Sequence, residues 1–268
     1  MAGTTKTEKI RQQELRAPDS FQKVGAEAGD WLAQRQKLIG IGAAVLLVGG
    51  LGVGIANEVS KRNEETASQA LGQALAVLER PVEGVEPAQP GDTEPPFKTL
   101  QERDEALVKA LTDFLKEHGG TRSATTAALS LGKAQFRLGN YPAAQEAFSA
   151  FLKDAPQNEP LRAGALEGQG YSLEAEKKYD DAIKSFEQMD SAGGGEYLAG
   201  MGAYHKGRML ILQNKKEEAA QVLSKISADH PNTAAARQAS ERLAVLASEG
   251  VKVPAPAQPA AATGQDAG

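Results

Sequence analysis

The chain has 268 residues, of which 41% are hydrophobic but only 5% aromatic, with a net charge of −5 and no cysteine. That length accommodates one or two domains with a sizeable core, and an alanine-rich, aromatic-poor composition suits close-packed helix pairs. The missing cysteine excludes disulfides, thiolate metal sites, a cysteine nucleophile and a lipidated N-terminal cysteine, while leaving the compartment open.

Residues 1–37 carry seven Lys or Arg against five acids, so the rest of the chain is acidic and a poor electrostatic match for nucleic acid. Asp19 and Gln22 have capping-box spacing, and Phe21, Val24, Ala28, Trp31 and Leu32 then recur at helical intervals. This predicts a cytoplasmic tail ending in a short amphipathic helix, either lying on a membrane surface or leading solvated into the next segment.

That next segment, residues 38–56, has nineteen positions without a charge or a strongly polar side chain. As a helix they span about 28 Å, close to the hydrocarbon thickness of a bilayer. The stretch is apolar on every face, which predicts a single transmembrane anchor; a buried helix of a soluble domain is the plainer alternative. Gly54-Ile55-Ala56 has the form of a signal-peptidase site, but the leader ahead of the run is too long for an ordinary signal peptide. Lys23, Arg35 and Lys37 precede the run while Lys61 and Arg62 come after it, a slight bias towards a cytoplasmic N-terminus. Gly50 and Gly54 are four apart, a spacing that allows close helix pairing and a homo-oligomer.

Residues 57–97 read as a helix, with Val59, Leu71, Leu75 and Leu78 in phase, followed by a proline-rich exposed loop over 81–96. Residues 98–118 are helical again, with Leu107, Leu111 and Phe114 at the phase that Ala144, Phe148 and Phe151 hold further on. From there a cadence recurs three times: Gly132, Ala144, Phe148; Gly170, Ala182, Phe186; Gly207, Ala219, Leu223. A repeat of 37 to 38 residues with fixed internal spacing predicts stacked antiparallel helix pairs, at about 125–156, 163–194 and 200–231. The turns inside the pairs fall at Gly139-Asn140-Tyr141, Lys177-Lys178-Tyr179 and Asn214-Lys215-Lys216. A glycine inside a helix costs about 1 kcal/mol against alanine, so glycine at one phase implies close approach of the partner helix, expected at Ala144, Ala182 and Ala219. Residues 98–118 are a degenerate first unit whose inter-helix turn has grown into the proline loop. Residues 233–249 form a capping helix, and the Ala/Pro-rich residues 250–268 a disordered tail. The solenoid is therefore expected over 98–249.

Leu131-Gly132, Ala144 with Phe148, and Pro156 resemble the tetratricopeptide repeat. The second unit lacks the proline and the third has leucine for the aromatic. The resemblance implies an all-α solenoid of three clear repeats behind one N-terminal helix. The wider layout of basic tail, single span and alanine-rich repeats resembles the ancillary Sec-translocon subunits of bacteria. That likeness implies an inner-membrane protein, single-pass with a periplasmic repeat domain, whose partners are translocon components, chaperones or exported clients. The alternatives are an import-receptor type facing the cytosol, or a scaffold unrelated to translocation.

No phosphate-binding loop, His-x-x-x-His pair or nucleophile elbow occurs, and the three histidines are scattered, so no catalytic, cofactor or metal site is expected. In the resembled family the first helix of each repeat lines a protein-binding groove. By phase this points to Leu129, Lys133, Phe136 and Arg137, then Glu167, Tyr171 and Glu174, then Met201, Tyr204, Arg208 and Ile211. Lys133, Arg137, Glu167, Tyr171, Glu174, Tyr204 and Arg208 are the polar candidates; the apolar ones serve equally as core. Ser130, Gly168 and His205 occupy the positions where the family's carboxylate clamp has asparagine, so recognition of a chaperone C-terminus is not expected.

Overall fold

The structure, a computed structural model, describes residues 20–85, 94–192 and 195–254. The chain divides into two compact units, Met1–Arg62 and Asn63–Gly268. One helix, α1 (Ser20–Leu75), supplies the described part of the first and opens the second. The side chains of the expected amphipathic helix, Trp31 included, lie outside the described residues, and of residues 38–56 only Leu46 and 50–56 have described side chains, all exposed. Among the described residues no helix is long and apolar enough to cross a membrane. Most of the expected anchor falls outside that set.

Among the described residues the regular structure of the second unit is helical apart from one isolated bridge. After α1 come α2 (Leu100–His118), α3 (Arg122–Arg137), α4 (Tyr141–Asp154), α5 (Arg162–Ala175), α6 (Tyr179–Ser191), α7 (Met201–Leu212), α8 (Lys216–Asp229) and α9 (Ala234–Ser248). Each packs on its chain neighbours, the arrangement that a repeat unable to bury its own apolar face requires. The core begins earlier than residue 98. Ala67, Leu71 and Ala74 of α1 are buried with Leu107, Leu111 and Phe114 of α2 and with Ala124 and Ala127 of α3. The end of α1 is thus the first helix of the degenerate unit. Glu64 pins it there: its carboxylate accepts from the backbone N–H of Arg122 at 2.7 Å and of Ser123 at 2.9 Å, and from the Ser123 hydroxyl at 2.7 Å. An acid at a helix N-terminus satisfies donors that have no partner inside the helix, and these bonds hold the Glu64 carboxyl below the usual carboxylate range.

The proline loop between α1 and α2 is closed at its base. Phe97 N–H donates to Pro81 O and Glu83 N–H to Phe97 O, both at 2.9 Å, and Arg80 lies 4.0 Å over the Phe97 ring. Residues 86–93 of this loop, and the tail expected over 250–268 beyond Pro254, lie outside the described residues.

Each clear pair turns on a residue at positive φ: Gly139 at 75°, Lys177 at 60° and Asn214 at 62°. In each turn the next N–H reaches back to close the first helix: Asn140 to Gln135 O, Lys178 to Leu173 O and Lys215 to Leu210 O. This is the Schellman closure, which favours glycine at the positive-φ position, and of the three turns the first has glycine there. Thr121 and Thr233 start α3 and α9 alike, each hydroxyl accepting from the N–H three residues on and donating to the carbonyl of His118 or His230.

The helix glycines do mark close approach, but Ala144, Ala182 and Ala219 are not what approaches them. A Cβ on Gly132 would stand 2.7 Å from Phe148 Cδ1, and one on Gly207 would stand 2.6 Å from Leu223 Cδ2; Gly170 meets the Phe186 ring in the same way. The large apolar residue of the cadence fills the space the glycine leaves, because a helix face without a Cβ admits a whole ring edge. The three alanines are fully buried beside it.

Candidate functional site

Glu167, Tyr171 and Glu174 are spaced i, i+4, i+7 on α5 and so share one stripe, while His205 and Arg208 share a stripe on α7. α5 and α7 both pack on α6, and their side chains bring the two stripes together. His205, 2% exposed, sits at the centre. Its ring centroid is 4.5 Å from that of Phe186, and Tyr171 meets it edge-on at 5.2 Å.

Both imidazole nitrogens are engaged. Arg208 Nη1 lies 3.1 Å from Nδ1. A guanidinium only donates, so Nδ1 accepts and the ring proton is assigned to Nε2. Nε2 in turn faces the Tyr171 hydroxyl at 3.4 Å and Glu167 Oε1 at 3.5 Å. Arg208 Nη2 donates to Glu174 Oε1 at 2.6 Å, while Glu174 Oε2 is buried with no hydrogen-bond partner among the described residues. The bond from His205 holds the Glu167 carboxyl below the usual carboxylate range against the opposing effect of burial. Burial, reinforced by the charge of Glu167, pushes the Tyr171 phenol up to about 12.

Four of the seven polar candidates, Glu167, Tyr171, Glu174 and Arg208, therefore form one network. The other three do not join it. Arg137 makes a bidentate pair with Asp104, at 2.8 and 2.5 Å, which ties α3 to α2. Tyr204 is buried in the terminal core with Leu223, Ala235 and Ala239. Lys133 is exposed at the phase of Tyr171 and Arg208. Leu129 is core, and Phe136 lies half-buried with its ring 6.5 Å from that of Tyr171. Two participants escaped the sequence reading as site residues, His205 and Asp104. His205 stands at the phase of Gly168, and the change from glycine to imidazole at one repeat position was its signal. Asp104 had none, because its partner is 33 residues away.

Apart from Glu174 Oε2, the network's polar groups are bonded to one another, which makes it a polar clamp between neighbouring repeats. Among the described residues no group of three or more His, Cys, Asp or Glu could hold a metal ion.

Stacked helix pairs with a face of paired side chains define a helical-repeat protein, a class that binds other proteins along extended surfaces. Residues 29–238 match the tetratricopeptide repeat-like domain, and the chain belongs to that family. It is accordingly a protein-interaction module with protein partners. No curated protein matches the chain.

Proposed function

We propose that this is a membrane-tethered interaction module, a scaffold or chaperone-like accessory to protein translocation or envelope assembly on the trans side of the inner membrane. The observation that carries this reading is the extent of the family match. It begins at residue 29, ahead of the apolar stretch at 38–56, and continues to 238, so the stretch belongs to the domain's own pattern. A nineteen-residue uncharged helix directly before a binding solenoid supports a tether, and the layout resembling ancillary Sec-translocon subunits supports the setting. The module binds without catalysing, since the groups clustered on its repeat face are bonded to each other.

Proteolysis of spheroplasts tests the topology: the repeats are digested in intact spheroplasts. Digestion only after lysis of the inner membrane overturns the trans-side placement. The margin of Lys23, Arg35 and Lys37 over Lys61 and Arg62 is a single charge, so the second reading is the same module facing the cytosol. A reporter fused after α9 separates the two, and cross-linking in the native membrane followed by mass spectrometry names the partner.

A further inference from the structure

One groove of the solenoid lies over α3. Leu115 at the end of α2, Leu131 of α3 and Ala150 of α4 wall it, and Ala124, Ala128 and Ala147 floor it. Its volume is about 420 Å³, and it runs along α3 from Ala124 to Gln135, about 17 Å or three helical turns. Two charged residues line it among the described residues, Glu146 and Asp154, both acidic and both on α4. Each is exposed, and neither has an ion-pair or hydrogen-bond partner among the described residues. At Gly120, Thr125 and Asp154 the groove opens into a second cleft of about 760 Å³, where Arg122 and Lys153 mix with Asp154 and Glu159. Asp154 thus stands where the two clefts meet, and Glu146 lines the groove alone.

We propose that this groove docks a cationic amphipathic helix of a partner protein, about three turns long, with small and branched apolar residues inward and two basic residues about two turns apart. The physical reasons are three. An alanine floor lets a helix ridge come close, as ridges-into-grooves packing requires. The walls are apolar, so burial drives association. Glu146 and Asp154 stand eight residues, about 12 Å, apart on α4, which places two unpaired carboxylates beside one edge of a helix laid along the groove. The face carrying Glu167, Tyr171 and Arg208 is different, because Arg208 is paired with Glu174 and Glu167 is bonded to His205. The proposal rests on the reading of this chain as an interaction module and names the chemistry of its partner.

The test uses the full chain in phosphatidylcholine nanodiscs and two fluorescent sixteen-residue helical peptides. Both carry a Leu/Ala face; one has two lysines eight residues apart, the other glutamates at the same places. The lysine peptide binds more tightly, by roughly tenfold or more. Double substitution Glu146→Lys with Asp154→Lys, both at exposed positions, reverses the preference, and Ala150→Trp, which fills the groove from an exposed position, removes binding of either peptide. Equal binding of both peptides, absence of binding, or indifference to these substitutions overturns the proposal. Lysine-peptide binding that is lost on Glu167→Lys and untouched by Ala150→Trp removes the groove while leaving the interaction module standing.

Discussion

The joint between α3/α4 and α5/α6 and the joint between α5/α6 and α7/α8 occupy the same place in successive repeats and are built from opposite chemistry. At the first, the Phe148 ring is enclosed by two glycines: a Cβ on Gly132 would lie 2.7 Å from it and one on Gly168 2.5 Å. At the second, Phe186 meets Gly170 on one side and the His205 ring at 4.5 Å on the other, and His205 brings Glu167, Glu174 and Arg208 into the contact. Thirty-seven positions separate Gly168 from His205, so one exchange at a repeat position converts a shape-matched apolar joint into a hydrogen-bonded one. The first joint tolerates no added volume. The second tolerates no missing partner, because buried polar groups left unpaired are costly.

Core truncation produces the largest effect at either joint. Phe148→Ala should cost about 3–5 kcal/mol in urea unfolding, since its ring is fully buried and nothing nearby can collapse into the space. Gly168→Ala should cost about 1–3 kcal/mol by overpacking against the Phe148 ring. A cost near zero would show that Phe148 can shift and that the joint is not shape-limited.

Next comes His205→Leu, which keeps the volume but strips Arg208 and Glu167 of their shared partner. About 1–3 kcal/mol should be lost. Preceding it with Arg208→Gln and Glu167→Gln should shrink that loss, and equal losses in both backgrounds would dissolve the network.

The acid limb separates the joints by pH. Glu167 has a folded-state pKa below its unfolded value of about 4.3, so its contribution is complete above that value and disappears as pH falls through the folded pKa. Urea midpoints should therefore show a gap between wild type and Glu167→Gln at neutral pH that closes as acid protonates the folded-state carboxylate. Gly168→Ala, at the joint without titratable groups in its centre, should keep its gap across the same acid limb.

The end of α1 offers a smaller test. Glu64→Ala removes three bonds to the start of α3 and should cost about 0.5–2 kcal/mol, with amide exchange accelerated first at Arg122 and Ser123. Smallest is Lys177→Gly, which relieves a non-glycine residue at a φ of 60° and should stabilise by about 1 kcal/mol or less.

The helix pairs, their turns and the terminal cap were legible in residue order because their determinants are local. Apolar spacing of three and four residues, a threonine ahead of a helix and a turn residue at one phase all act within a few positions. The early start of the solenoid in α1 was less legible, since Ala67, Leu71 and Ala74 become core only when α2 and α3 close over them. The groove candidates do sit on first helices, yet phase alone does not say whether a charged residue faces solvent or a neighbour's charge.

Sequence spacing thus determined an all-helical repeat chain with an apolar, uncharged stretch before it, and assigned which residues share a helix face. Tertiary structure decided what each face does. Phe148 rather than Ala144 fills the space at Gly132, Glu174 is held by an arginine 34 residues away, and the exposed carboxylates of Glu146 and Asp154 stand beside the α3 groove. The reason is one of range: helix formation is settled within a turn, whereas the pairing of a charge depends on which side chain the next repeat places against it.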